Sequence, residues 1–193
     1  MITEPIISYF SNILPLDAEE IEAVKNVFHP RHFKRRQFML QAGDICKYNS
    51  FVVEGCFRMY MVDESGKEHN LQFAVENWWM IDMASFYSEE PSRLNIEALE
   101  HSKVLQISKE DQLKLFVEYP KFNRIFRVLA ENAVKSLQSR ILHNISSTAE
   151  ERYLHFIQHY PYFFNRISNV QIASYLGVTP EFLSTIRKKI VKP

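Results

Sequence analysis

Glu181, Ser184, Thr185, Arg187, Lys188 and Lys189 crowd together near the end of the chain. Side chains of these types hydrogen-bond base edges and neutralise phosphates. The surrounding stretch, Ser168 to Lys192, reads SNVQIASYLGVTPEFLSTIRKKIVK. Ile172, Ala173 and Leu176 share one face of a helix, and the small Ala173 lets a second helix approach closely. Gly177 supplies the left-handed position that ends the first helix. Thr179 suits an N-cap, Pro180 the first helical position and Glu181 the first turn, where the helix dipole favours an acid. Leu183, Ile186 and Ile190 face back to the first helix, so the polar and basic residues point elsewhere. A three-residue turn containing glycine, between two short helices of which the second is cationic, is the DNA-reading helix-turn-helix. The plainer alternative is a helical hairpin with a solvated basic face. Agreement of every turn and cap position favours the first. Glu181, Ser184, Thr185 and Lys188 are then expected nearest the bases, and Thr179, Arg187 and Lys189 nearer the phosphates.

The charge distribution fits that reading. The chain has 193 residues and a formal net charge of zero. In residues 166–193, Arg166, Arg187, Lys188, Lys189 and Lys192 stand against Glu181 alone, a local charge of +4, so the remainder sums to −4. A positive tip on a slightly acidic body suits a localised phosphate-binding surface. No stretch approaches the ~20 apolar residues that span a membrane. The N-terminus carries Glu4 and lacks a basic start followed by an apolar block, so no signal peptide is expected and the cytoplasm is the default location. Two cysteines, Cys46 and Cys56, argue against a disulfide framework or a four-cysteine cluster and read as reduced structural thiols.

Catalysis finds no residues to stand on. There is no Ser/His/Asp or Cys/His order, no glycine loop to cradle a phosphate and no paired acids within a motif, so no enzyme is expected. His155 and His159, at i and i+4, have the spacing of a metal pair, but no third ligand is evident in the sequence nearby. They read as polar surface, like His29 and His32, and no metal is expected. Trp78-Trp79-Met80 reads as core, with a pocket wall as the alternative.

The elements that must position the basic tip fall into three parts. From about Pro5 to Phe28 the pattern is helical, broken at Pro15. From about His32 to Ile107 the period switches to two: Leu71, Phe73 and Val75 alternate with Asn70 and Gln72, and Phe57, Met59 and Met61 with Arg58 and Tyr60. Asp63-Glu64-Ser65-Gly66 is a hairpin loop between them, and Ala42-Gly43-Asp44 and Glu54-Gly55 are further turn or bulge signals. Many short strands at regular spacing predict an antiparallel sandwich or roll, giving an α+β fold. Ser108 caps a short helix that Pro120 stops, and a long helix runs from about Lys121 to Asn144. Along it Phe122, Phe126, Leu129, Ala133, Leu137 and Ile141 recur at spacings of four and three, close to an a/d seam. Twenty-odd residues make a rod of roughly 35 Å, longer than a small domain needs to cover its own core. The stripe is read as a homodimer seam, with packing on the roll as the alternative and Ile125, Val128 and Ile145 as a second apolar flank. The expected boundaries are 1–118 for a sensor roll, 119–145 for the dimerisation helix and 146–193 for the helix-turn-helix domain.

This order of parts resembles the Crp/Fnr superfamily, the relatives of the catabolite activator protein. The resemblance covers nearly the whole chain. It rests on Phe51-Val52-Val53-Glu54-Gly55-Cys56-Phe57-Arg58, similar to the family's roll-forming strand and glycine turn, and on Ile172-Ala173-Ser174-Tyr175-Leu176-Gly177-Val178-Thr179-Pro180-Glu181. The second anchor is the more specific and looks like the branch common in Bacteroidetes-type bacteria. The resemblance implies a homodimeric transcription regulator with a cyclic-nucleotide-binding-like jelly roll as sensor. Its head would read a palindromic site in double-stranded DNA, with RNA polymerase a further partner.

Three departures qualify what the resemblance carries over. Cyclic-nucleotide-binding relatives have a cassette of the form Gly-Glu-x-Gly followed by Arg-Ser/Thr-Ala, which holds ribose and cyclic phosphate. The corresponding residues are Ile81-Asp82-Met83-Ala84, with Ser85 beyond, and Ser92-Arg93-Leu94. Both glycines are gone. Asp82 remains an acid in the right place for a ribose hydroxyl. In an extended strand, the one-residue shift of arginine from position 92 to Arg93 turns its side chain to the opposite face. Cyclic AMP is therefore not the expected ligand; the readings left are another small-molecule effector or none, with no cofactor. The residues Pro161-Tyr162-Phe163-Phe164-Asn165-Arg166-Ile167 are too few for the family's β-hairpin wing and read as an aromatic plug. Thr185 stands where relatives carry a base-reading arginine. The competing reading for the whole chain is a small-ligand-binding or protein-interaction module whose helix-turn-helix no longer reads DNA.

Overall fold

The computed structural model describes residues 2–163 and 165–191, with the backbone only for Ile190 and Val191. Phe164, Lys192 and the inward-facing side chain expected of Ile190 lie outside the described residues. Two helices open the chain, α1 (Glu4–Ile13) and α2 (Ala18–Val27). Pro15 lies in the short connection. Asp17 and Glu20 form a reciprocal capping box that starts α2, two bonds of 2.9 Å each.

Eight antiparallel strands follow: β1 (His29–Phe33), β2 (Phe38–Leu40), β3 (Tyr48–Glu54), β4 (Phe57–Val62), β5 (Glu68–Ala74), β6 (Trp79–Met80), β7 (Asn95–Ala98) and β8 (Ser102–Ser108), with helix α3 (Met83–Ser88) between β6 and β7. They form two four-stranded sheets ordered β1-β8-β3-β6 and β2-β7-β4-β5. The expected roll is present. Val52, Phe57, Met59, Ile96 and Val104 point between the sheets. Phe51, Leu105 and Ile107 point outward from the first sheet and are covered by Ile6, Phe10, Val24 and Phe28 of the N-terminal segment. β3 is therefore buried on both faces, with Asn49, Ser50, Phe51 and Val52 buried in succession rather than in alternation.

Two strand assignments hold while their facing differs from expectation. Asn70 is 4% exposed and Leu71 36%, the reverse of the alternating pattern. Met59 pairs with Gln72 and Tyr60 with Asn70, so Leu71 is an extra residue with no partner opposite, and a bulge switches the face at that point. Arg58 and Tyr60 of β4 are buried rather than solvent-facing. The Arg58 guanidinium binds Glu97 at 2.7 and 2.9 Å, reaches Glu68, and lies 3.9 Å over the Tyr60 ring. An ion-pair network lets a face that reads as polar pack as interior.

Gly55 shows why the roll's turns need glycine. Its φ is +110°, and a Cβ there would sit 2.7 Å from the Ser102 Cα. Gly43 has φ +96° but open space around it. Gly55→Ala is expected to cost about 2–4 kcal/mol, from left-handed strain plus overlap with backbone. Gly43→Ala should cost about 1 kcal/mol from strain alone. Urea unfolding of the two variants checks this, and equal losses would refute the steric account.

Ser108 accepts from the Asp111 N–H and starts α4 (Lys109–Glu118), and Pro120 precedes α5 (Lys121–Ser146). With 26 residues α5 is ~39 Å long. Helices α6 (Ala149–His159), α7 (Asn169–Leu176) and α8 (Pro180–Val191) complete the chain. Among the described residues between α6 and α7 there is a 3-10 turn, Pro161–Phe163, and no strand of a hairpin wing. Phe163 plugs the small domain at 3% exposure, whereas Tyr162 is 76% exposed.

Candidate nucleic-acid interface and sensor cassette

The helix-turn-helix is built as its residues predict. Ser168 and Gln171 form a capping box at the start of α7. Gly177 ends the helix at φ +69°, and the Val178 N–H reaches back to the Ala173 carbonyl at 3.0 Å. Thr179 Oγ1 accepts from the Phe182 N–H at 3.2 Å, capping α8. Leu183 and Ile186 of α8 are buried against Ile172, Ala173 and Leu176 of α7, with Tyr153, Phe156 and Phe163 beneath. Thr179, Glu181, Ser184, Thr185, Lys188 and Lys189 are exposed, and Pro180 and Arg187 half-buried. The Ser184 and Thr185 hydroxyls donate to the Pro180 and Glu181 carbonyls at 2.9 and 3.2 Å, so they face a ligand as acceptors. Arg187 bonds Asn169 Oδ1 and ties α8 to the start of α7.

Phe182, half-exposed on the outer side of α8, escaped the sequence reading because only its apolar neighbours Leu183 and Ile186 keep helical spacing. An aromatic ring there suits contact with a thymine methyl.

Arg166 belongs to the basic tip by position but not by function. It donates to Glu76 at 2.8 and 2.9 Å and to Glu100 at 3.1 Å. Burial pushes the Glu76 carboxyl up, but Arg166 and the Gly55 N–H hold it down to about 2. The head is thereby fastened to the roll. Ser174 of α7 strengthens the junction: its hydroxyl accepts from the Asn70 N–H at 3.0 Å and donates to the Glu68 carbonyl at 2.9 Å. Arg140 of α5 binds the Leu71 carbonyl and lies 4.1 Å over the Tyr175 ring. The exposed edge of β5 is in this way covered by the head and the long helix.

The sensor cassette is closed on itself. Asp82 caps α3: its Oδ1 accepts from the Ala84 and Ser85 N–H groups at 3.1 and 3.4 Å, and its Oδ2 from the Ser92 hydroxyl at 2.6 Å. The Ser85 hydroxyl is engaged by the Cys46 N–H and the Glu90 carbonyl. Asp82, Ala84, Ser85 and Ser92 are thus brought together, and the carboxylate that stands in the place of the family's ribose-binding acid satisfies the helix start. Met83 is half-exposed and Arg93 exposed. Arg93 points outward because residues 91–94 form a loop with a bend, not through the strand alternation expected.

Beside the cassette, a cavity of about 850 Å³ opens between β5, β6, α5 and the head, with Trp78, Trp79, Phe126, Leu137 and Tyr175 in its wall. Trp79 is both core and pocket wall. The side-chain amide oxygen of Asn49, also in the wall, is buried without a hydrogen-bond partner, whereas the Trp79 indole N–H is turned towards the Tyr9 hydroxyl. The long-helix stripe divides at about Ala130. Phe122 is fully buried and Phe126 and Leu129 half-buried in the chain's own core, so Phe122 is removed from the expected seam. Ile125, expected on the second flank, is buried there too. Ala133, Leu137 and Ile141 are exposed, as are Val134, Leu142 and Ile145.

Among the described residues no helix is long and apolar enough to cross a membrane. Residues 30–119 match the family described as "Cyclic nucleotide-binding domain". No curated protein sequence matches the chain. Among solved structures, the chain is similar to FixK2 of Bradyrhizobium japonicum (18% identity, 85% of this chain and 84% of that chain, TM-score 0.74). It is also similar to the c-di-GMP responsive global regulator CLP of Xanthomonas campestris (16%, 90% and 91%, TM-score 0.73). A third is a CooA mutant from Carboxydothermus hydrogenoformans (17%, 94% and 83%, TM-score 0.70). The chain therefore has the fold of these proteins, and residues 30–119 match the cyclic nucleotide-binding domain family.

Proposed function

We propose that this protein is a homodimeric transcription regulator that reads DNA with α8 and senses a small molecule other than a cyclic nucleotide. The observation that carries the reading is the exposed face of α8. Glu181, Phe182, Ser184, Thr185, Lys188 and Lys189 stand clear of the packed side formed by Leu183 and Ile186. Early turns of such a helix reach base edges, and cations further along meet phosphates. The exposed apolar half of α5 supports a second copy as partner, since two heads in fixed relation are what a palindromic site requires.

The sensor reading rests on Asp82. A carboxylate already occupies the N–H groups of α3, and it would repel a phosphate brought to the same place. The effector is instead a largely apolar molecule in the 850 Å³ cavity, carrying a donor for the side-chain oxygen of Asn49.

Selection from randomised duplexes tests DNA reading. A palindrome should be enriched, and none from a folded dimer at low salt would sink the proposal. Lys189→Ala is expected to weaken all duplexes alike and to lower the salt slope by about one. Glu181→Ala should relax preference at one base pair, by about 1–3 kcal/mol of discrimination. Calorimetry should show no tight binding of cyclic AMP.

A further inference from the structure

We propose that the joint between α5 and α6 is a binding site for a small phosphate-type oxyanion, gripped by Arg140, Arg152 and a stack of three histidines. The sequence alone pairs His155 with His159, and the fold adds His143 from α5. The His143 and His155 ring centroids are 4.0 Å apart and those of His155 and His159 3.9 Å. The His155 and His159 rings are stacked and the His143 ring is tilted 39° to His155. Among the described residues no group of three such side chains is arranged to hold a metal ion.

These side chains line a cavity of about 200 Å³, together with Arg140, Arg152 and Tyr175. Both arginines are held by their terminal nitrogens, Arg140 on the carbonyls of β5 and Arg152 on the Ser147 carbonyl at 2.9 Å. The Nε–H of each is buried and has no acceptor. A buried charged donor left unsatisfied is costly, and buried polar groups as a rule find partners. The charged and titratable groups facing the stack are Arg140 on α5, Arg152 on α6, Tyr160 after it and Tyr175 on α7; among the described residues no carboxylate lines the cavity. Two guanidinium groups lacking a counter-ion, with unused N–H donors, suit a tetrahedral oxyanion.

The histidines make the site responsive to pH. His143 Nδ1 lies 2.8 Å from the Ser139 carbonyl and His159 Nδ1 3.0 Å from the His155 carbonyl, so in each ring it is Nδ1, not Nε2, that engages the backbone. Burial, then the neighbouring His159 and His143, hold His155 below the ordinary imidazole range. An anion among them raises those affinities for protons, so binding takes up protons and strengthens as pH falls. The site stands whether or not the head reads DNA.

Calorimetry of the full chain with inorganic phosphate, at constant ionic strength in chloride, tests the proposal. Binding should be about tenfold tighter near pH 6 than near pH 8. Arg152→Gln should weaken it at least ~tenfold, and Arg152→Lys less. In the unaltered protein, phosphate should shift the NMR signals of all three imidazoles together, a readout independent of how any variant folds. Glycerol 3-phosphate binding more tightly than inorganic phosphate would assign the site to a phosphate monoester; the reverse order would assign it to the free ion. The proposal is overturned by the absence of saturable heat, by imidazole signals that do not move, or by undiminished binding in folded Arg152→Gln. Imidazole signals that respond to duplex DNA but not to phosphate would equally overturn it.

Discussion

Leu137→Glu combined with Ile141→Glu is expected to yield a folded monomer with at least ~100-fold weaker affinity for a palindromic duplex. These side chains are 56% and 49% exposed, and Val134, Leu142 and Ile145 beside them 63%, 58% and 80%. An apolar strip of this kind on a rod of ~39 Å suits the second copy proposed above. A second copy would bury it, and carboxylates introduced there would be placed against one another in a dry seam. Linking two reading heads raises affinity by about 10²–10⁴ through effective concentration, and separate heads forfeit that gain. The residues contribute nothing to the chain's own core, so the monomer should keep its stability. Phe122→Ala provides the contrast: at 0% exposure in the core beside Phe10, it should cost about 3–5 kcal/mol without altering the seam. Light scattering and duplex titration check both. A wild-type protein that is monomeric at tens of micromolar would refute the dimer.

Arg58→Ala is expected to destabilise the roll by about 3–5 kcal/mol, the range for breaking a buried ion pair. The Arg58 and Glu97 side chains are 10% and 11% exposed, whereas Glu68 is 46% exposed and can regain water when its partner is lost. The stranded group is therefore Glu97. Burial lowers the affinity of the Arg58 guanidinium for its proton, yet its hydrogen bonds to Glu68 and Glu97 raise it overall. Replacing both partners, Arg58→Met with Glu97→Leu, should recover most of the loss, because no uncompensated charge then remains inside. Urea unfolding measures both variants. A loss under about 1 kcal/mol for Arg58→Ala would mean that water reaches Glu97 in the folded state.

Legibility followed the range of the forces involved. The helix-turn-helix could be read residue by residue because its determinants are local: Ser168, Gly177, Thr179 and Pro180 act on backbone within one turn of themselves. The break at Pro15, the Ser108 cap and the β4–β5 hairpin were legible for the same reason. Facing was less so. The bulge at Leu71 depends on register between two strands, and a side-chain period of two cannot reveal a residue that is skipped. The apolar stripe of α5 was visible, but not that its first half serves the chain's own core and its second half stands exposed.

Periodicity and caps were enough to specify the parts and their order: helices, an antiparallel roll, a long amphipathic helix and a C-terminal helix-turn-helix. The cassette's departure from the cyclic-nucleotide pattern at both glycines was legible in the sequence as well. The long-range pairings came from the fold alone. Asp82 turns inward to cap α3 and bond Ser92, ten residues away. Arg166 leaves the basic tip for Glu76 and Glu100, and His143 joins His155 and His159 across two helices. Each of these pairings spans a separation that local propensity does not sense. They arise because burial removes water as the competing partner, and a charged or polar side chain then takes whatever complement the fold has brought within reach.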